Sequence, residues 1–193
     1  MAKVSGKSGI VRVGSAVNIG SATYLTGLVT VNTSAVHGLT DTTRIIIESV
    51  VGMTDLNDHF TVDSITDTDT FKVALTTAQT YTSGGTVQEI IEVTSWSLNE
   101  EQLVINTTDS DSGDWEEITP KGKGQFSGTM EGFLYSGTRK PTRGTELTAV
   151  LETNGTDDFT GNIVLTSDVT ELTIPGEDAV KVTFNFIGTG ALA

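Results

Sequence analysis

The chain has 193 residues, no cysteine, two histidines and a net charge of −14 from 11 basic and 25 acidic residues. The absence of cysteine excludes a thiol nucleophile, a disulfide scaffold and cysteine-ligated metal centres. The acidic balance argues against nucleic-acid binding, because gripping phosphates requires clustered Lys and Arg. No window approaches the roughly 18 consecutive apolar residues of a membrane-spanning helix. The N-terminal lysines are not followed by a continuous apolar run, so we expect no signal peptide there.

The first 88 residues alternate between β-branched runs and clusters of Gly, Asp, Asn and Thr, without a helical apolar stripe. The predicted strands here are Ile10–Val13, Gly27–Asn32, Thr43–Val50, His59–Asp63, Phe71–Thr76 and Gly85–Gln88. A stretch of small residues, Gly14–Gly27, separates the first from the second. Strands recurring at intervals of about ten residues are typical of a small sandwich or barrel.

From residue 89 the predicted strands are longer and alternate more clearly. They are Glu89–Asn106, Gln125–Tyr135, Leu147–Glu152, Asn162–Ile174 and Ala179–Ile187. A polar loop, Thr107–Gly124, separates the first two. The single helix candidate, Tyr135–Val150, contains Pro141 and Gly144, so we expect a turn or two of helix at most.

The order of segments in this half resembles a known family. The segments EVTSWSLNEEQLVIN, DWEEITPKGKGQFSGTMEGFLY and FTGNIVLTSDVTELTIPGEDAVKVTFNFIGTGALA follow one another, and KVSGKSGIVRVGS opens the chain. Together they resemble the major tail tube proteins of long-tailed bacteriophages, most specifically in the closing Phe184–Asn185–Phe186. The resemblance implies an all-β, antiparallel tail-tube-type sandwich or barrel in residues 1–20 and 89–193. The family's helix before the fourth strand is shortened or lost here.

The remaining segment, residues 21–88, resembles a different fold. The matching residues are His37-Gly38-Leu39, Gly52-Met53, Leu56-Asn57, Phe60 and Gly84-Gly85. They are similar to a small β module of phage structural proteins that is named after the first catalytic cysteine half-domain of ubiquitin-activating enzymes. The resemblance implies an inserted β-barrel-like module. It implies no ubiquitin chemistry, because the chain has no cysteine and no nucleotide-binding glycine motif.

The tail tube resemblance implies a structural virion protein, not an enzyme, with no cofactor and no metal. Such subunits form hexameric rings that stack into a tube, with tape-measure, tail-tip and tail terminator proteins as partners. DNA passes through the lumen without specific binding, and assembly takes place in the cytoplasm of the bacterial host. The inserted module is expected to project outward, which favours a non-contractile tail over one enclosed by a close-fitting sheath.

Alternation places a set of small polar residues on one sheet face. These candidate lumen-facing residues are Ser95, Ser97, Asn99, Glu101, Gln125, Ser127, Thr129, Glu131, Thr183 and Asn185. Lys181 is the exception on that face. A polar face with negative charge suits the passage of DNA, because it lowers local affinity for phosphate. From alternation alone, the alternative is an ordinary solvated sheet face.

The loop Thr107–Gly124 is the predicted contact between stacked rings. Its candidate contact residues are Asp109, Asp111, Asp114, Trp115, Glu116 and Glu117. Trp115 among charges suits an anchor on a neighbouring ring, although it could equally fold back on its own core. The carboxylates also suggest calcium, but the twelve-residue calcium-loop pattern is absent.

Two alternatives to a major tube subunit stay open. The first shares the fold: a tail terminator, or a minor tail or secretion-tube ring protein, which would not polymerise indefinitely. The second is a carbohydrate-binding module for host-surface attachment, with the insert as the binding part. Against this second alternative, the only aromatic residues of the insert are Tyr24, Phe60, Phe71 and Tyr81, which are too few for an obvious sugar platform.

Overall fold

The computed structural model describes residues 2–6, 8–106, 118–135, 141–153, 157–173 and 179–190. Within these ranges the protein is all-β, which confirms the predicted fold class. The described helical structure is a single 3₁₀ turn, Thr54–Leu56. No helix in these ranges has the length and hydropathy needed to cross a membrane.

Eleven described strands pair antiparallel throughout. They are β1 (Ala2–Gly6), β2 (Ser8–Leu25), β3 (Leu28–Thr33), β4 (Arg44–Val51), β5 (His59–Asp67), β6 (Thr70–Ala74), β7 (Ser83–Asn106), β8 (Ile118–Tyr135), β9 (Glu146–Thr153), β10 (Asp157–Thr173) and β11 (Ala179–Gly188). All of the predicted strands are present, but several differ in extent. β2 continues through the small residues after Val13, and β7 joins two predicted strands into one.

The strands form two closed rings that share β2 and β7. The C-terminal barrel follows the order β2–β9–β10–β11–β8–β7 and returns to β2. The module barrel follows β2–β3–β6–β5–β4–β7 and again returns to β2. β1 continues the line of β2 and pairs with β7 through Ala2↔Glu100 to Gly6↔Trp96. Closure removes most exposed strand edges, which are otherwise sites of unwanted pairing.

Each barrel encloses its own apolar core. The core of the C-terminal barrel includes Trp96, Leu98, Met130, Phe184 and Phe186. The core of the module barrel includes Val29, Ile45, Leu56, Phe71 and Val73. β7 contributes to both, with Val87 in the module core and Ile91 and Val93 in the C-terminal core. β2 and β7 run through both barrels. The predicted domain limits, residues 1–20 with 89–193 and residues 21–88, stay a prediction.

Two glycines let aromatic rings fill the C-terminal barrel between β8 and β11. A Cβ on Gly128 would collide with the carbonyl oxygen of Ser97 and lie 2.7 Å from the ring of Phe186. A Cβ on Gly188 would overlap the ring of Phe126. Each phenylalanine ring therefore lies over a glycine of the neighbouring strand. A side chain in place of that glycine would displace the ring.

Candidate functional site

The ten candidate lumen-facing residues lie together on the outer face of β7, β8 and β11. The register pairs Ser95 with Glu131, Ser97 with Thr129, Asn99 with Ser127 and Glu101 with Gln125. Thr183 and Asn185 extend the face onto β11 opposite Glu131 and Thr129. The intervening residues Trp96, Leu98, Met130 and Phe184 point into the core. We call this surface the polar face. That the polar face lines a lumen stays a prediction.

Side chains of the polar face hydrogen-bond mainly to one another. Ser95 Oγ donates to Glu131 Oε2 at 3.1 Å, and the hydroxyls of Ser97 and Thr129 are 2.8 Å apart. Asn99 Nδ2 donates to Glu101 Oε1 at 2.9 Å. The first two pairs follow from the register, because cross-strand partners on one face are close neighbours. Asn99 and Glu101 are two residues apart on the same face of β7.

The exceptional lysine of this face has an acidic partner. Lys181 Nζ lies 3.3 Å from Glu131 Oε2, and both side chains are partly exposed. Lys181 is opposite Phe133 and Glu131 is opposite Thr183, so the pair is diagonal across β8 and β11. Sequence reasoning identified both residues but not their pairing, since the pairing depends on strand register.

Sequence reasoning missed one member of the polar face. Ser167 of β10 is opposite Asn185, and its Oγ accepts a hydrogen bond from Asn185 Nδ2 at 2.6 Å. A register shift between Leu165 and Ser167 turns Ser167 to this side. Strict alternation would place Ser167 on the same face as the buried Leu165. The extra residue of the bulge reverses the face of each later side chain, and alternation alone does not reveal such a bulge.

The candidate contact residues Asp109, Asp111, Asp114, Trp115, Glu116 and Glu117 lie outside the described residues. The structure does correct the limits of their loop. Residues 118–124, predicted as loop, form the first part of β8 and pair with the end of β7 from Asn106↔Ile118 to Gln102↔Gly124. β7 and β8 thus continue beyond the closed barrel as a two-stranded ribbon. The predicted loop, Thr107–Gly124, is rich in Asp, Ser and Gly, and this composition had favoured a loop through its whole length.

The signature residues of the module have structural roles, beginning with the turn after β3. His37 Nδ1 accepts a hydrogen bond from the backbone N–H of Leu39 at 2.9 Å, and Gly38 has φ +64°. The imidazole packs edge-on against Phe71, with ring centroids 5.3 Å apart. Burial lowers the pKa of His37, which favours the neutral ring.

A second group of signature residues closes the edge of β4. Asn57 acts like a strand residue: its Oδ1 accepts from Val50 N–H at 2.7 Å, and its Nδ2 donates to Val50 C=O at 3.0 Å. Met53 and Leu56 are fully buried in the module core. Gly52 has φ +90°, and a Cβ there would collide with the carbonyl oxygen of Thr80. These residues therefore hold the connection from β4 to β5 in place.

The four aromatic residues of the insert do not form an exposed platform. Phe71 is completely buried, and Tyr24, Phe60 and Tyr81 pack against the same core. The Tyr81 hydroxyl is 2.9 Å from the carbonyl oxygen of Gly84 and 3.2 Å from that of Ile19. Sugar recognition by stacking needs accessible ring faces, and these rings are used for packing.

A small hollow lies where the two barrels meet. It has a volume of about 80 Å³ and is lined by the β2 bulge, by His37 and Leu39, and by Val87 to Glu89 of β7. Glu89 is buried in the shared wall. Nowhere in the described ranges do three or more His, Asp or Glu residues converge as metal ligands would.

Comparisons with known proteins give one match. A family model described as the ubiquitin-activating enzyme E1 FCCH domain matches residues 25–91. In those enzymes this domain is a non-catalytic part. No curated protein and no solved structure matches the chain. The similarity covers β3 to β6 and the first part of β7, which confirms the predicted resemblance of the inserted module. The resemblance of the other segments to tail tube proteins stays a prediction.

Proposed function

We propose that the protein is a major tail tube subunit of a long-tailed bacteriophage that assembles into stacked hexameric rings. In this proposal the polar face lines a DNA-conducting lumen, and the module barrel decorates the outside of a non-contractile tail. The protein then belongs to the virion and is assembled in the host cytoplasm. Its partners are further copies of itself and the tape-measure, tail-tip and tail terminator proteins. It performs no catalysis and needs no cofactor.

The observation that carries the proposal is the polar face itself. Ten residues selected from alternation and family resemblance form one continuous surface over three neighbouring strands. Its small side chains are held by mutual hydrogen bonds, and its lysine is paired with Glu131. Such a surface offers few unpaired donors to phosphate, and it carries negative charge at Glu101 and Glu131.

The ribbon of β7 and β8 also supports assembly. Over residues 102–106 and 118–124 the two strands pair with each other beyond the closed ring. β1 reaches only to Glu100 on β7, and β11 reaches only to Ser127 on β8. Among the described residues, no other strand pairs with the outer edges of the ribbon, so a neighbouring subunit could pair with its backbone groups there.

Negative-stain electron microscopy of the concentrated chain at several salt levels tests the proposal. Long tubes with regular striations are the expected result, because a heterologous contact repeated along one axis gives an open filament. Single rings would instead support a tail terminator or a minor ring protein. A chain that stays monomeric even when mixed with preformed tail tips would contradict tube formation.

No described feature favours the carbohydrate-binding alternative, because the aromatic side chains of the insert pack into its core. A glycan array with the full chain provides the check. Specific glycan binding by a chain that forms no tubes would replace the present proposal with attachment to the host surface.

A further inference from the structure

β2 and β7 are the only described strands that pair with strands of both barrels. The pairing of β9 with β2 ends at Arg12, and the pairing of β3 begins at Ile19. On β7, the pairing of β4 ends at Glu89 and that of β8 begins at Glu92. A two-stranded neck therefore joins the barrels.

The neck is interrupted on one of its two strands. The register between β2 and β7 shifts between Val13 and Val17, and the exposed residues Gly14, Ser15 and Ala16 bulge outward. Gly14 has φ +70°. A bulge bends a strand and removes ladder hydrogen bonds, so the neck is weakest at this point.

The outer side of the neck carries a small apolar cluster from both barrels. Ile10 of β2, Ile46 of β4 and Ile90 of β7 are buried there, and Val150 of β9 packs against them. The register places Arg12 next to Ile90, between β9 and β7. Long charged side chains commonly cover apolar surface with their stems.

Two ion pairs span the same side. Arg12 Nη1 and Nη2 each donate to one carboxylate oxygen of Glu48 at 2.7 Å, so this pair reaches from β2 over β7 to β4. Arg44 of β4 pairs with Glu92 of β7, and its Nη1 donates to Thr61 of β5 at 2.5 Å. The four charged side chains are between 21% and 41% exposed.

We propose that these two ion pairs form an electrostatic latch that holds the module barrel in one orientation on the C-terminal barrel. Isolated surface ion pairs contribute little, but bidentate Arg–carboxylate geometry, as in the pair of Arg12 with Glu48, is an exception. The hydrogen bond from Arg12 also lowers the pKa of Glu48, consistent with a stable pair. The latch does not depend on the proposed tail function.

Distance measurements between spin labels test the latch. Because the chain has no cysteine, Asp63→Cys in the module and Thr160→Cys on β10 introduce two unique labelling sites, both exposed. Double electron–electron resonance should give one narrow distance peak with the latch intact. Replacing both arginines, R12M with R44M, should abolish that peak and leave a broad distribution. R143M is the matched control, since Arg143 pairs with Asp168 inside the C-terminal barrel at 3.3 Å.

One further measurement covers variants that fail to fold. The single variant R12M should broaden the peak, and the charge exchange R12E with E48R should restore it. A peak that stays narrow in the folded R12M/R44M variant, or one that stays broad in the folded R12E/E48R variant, would overturn the latch.

Discussion

The two barrels share a plan but differ in what their sequences are used for. Both are closed rings of six antiparallel strands, and they have two strands in common. In the module barrel, the residues that carry the family similarity make turns and close an edge. The C-terminal barrel carries the polar face and continues as a ribbon beyond its ring. Family similarity therefore identifies the fold of the module, while the features on which the assembly proposal rests lie in the C-terminal barrel.

The largest loss of stability is expected from truncating one buried phenylalanine in each barrel. Phe71→Ala in the module and Phe184→Ala in the C-terminal barrel should each destabilise the protein by about 3–5 kcal/mol, because both rings are fully packed. Hydrogen exchange should rise mainly in the barrel that carries the substitution. Leu25→Ala is the control, since Leu25 is 69% exposed. Equal rises in both barrels for both variants would show that they open as one unit.

A smaller effect should follow from filling a glycine site in the C-terminal barrel. Gly128→Ala is expected to cost about 1–3 kcal/mol, because the new methyl group would meet Ser97 and Phe186. Chemical denaturation measures the loss. Gly190→Ala should have little effect, because no atom lies within 4 Å of its Cβ position. Similar losses for both variants would contradict the close packing of Phe186 over Gly128.

In the module, a comparable loss of stability is expected from removing a side chain that hydrogen-bonds to the backbone. Asn57→Ala should cost about 1–3 kcal/mol, because it leaves the backbone N–H and C=O of Val50 without their side-chain partner. Asn99→Ala removes a hydrogen bond on the exposed polar face and should change stability by less than about 0.5 kcal/mol. If the two variants were equally stable, Asn57 would not close the edge of β4.

The smallest expected effect is a pH dependence confined to the module. Burial lowers the folded-state pKa of His37 below the unfolded value of about 6.5. The unfolded chain therefore binds more protons just below that pH, and stability should fall as the pH falls from 6.5 through the folded pKa. Thermal unfolding at pH 7 and at lower pH measures this loss. His37→Asn should reduce the difference, and an unchanged difference would assign it to other groups.

Much of this structure follows from local pattern, and the rest depends on register. Alternation in β8 and β11 was enough to place Glu131 and Thr183 on one face. The pairing of Lys181 with Glu131 depends on the register of β8 against β11, and the membership of Ser167 depends on the register shift in β10. Neither leaves a clear pattern in the sequence. The β2 strand was also underestimated, since small residues have low strand propensity and closure of two barrels overrides it.

The sequence did not predict that the two barrels share β2 and β7. The module was predicted as residues 21–88, and these limits stay a prediction. Ile19 of β2 also packs in the module core. A strand that serves two barrels in succession gives the same alternation as one that serves a single barrel. Only the change of partners, from β9 to β3 across the bulge at Gly14, separates its two parts.

The most direct test of the central proposal asks which surface faces the lumen of an assembled tube. Thr129→Cys places a unique thiol on the exposed polar face, and Asp63→Cys places one on the exposed module. In dispersed subunits, both should react quickly with a bulky maleimide reagent. In tubes, Thr129→Cys should become protected from the reagent, while Asp63→Cys should stay reactive. Equal reactivity in tubes, or protection of the module alone, would contradict a lumen lined by the polar face.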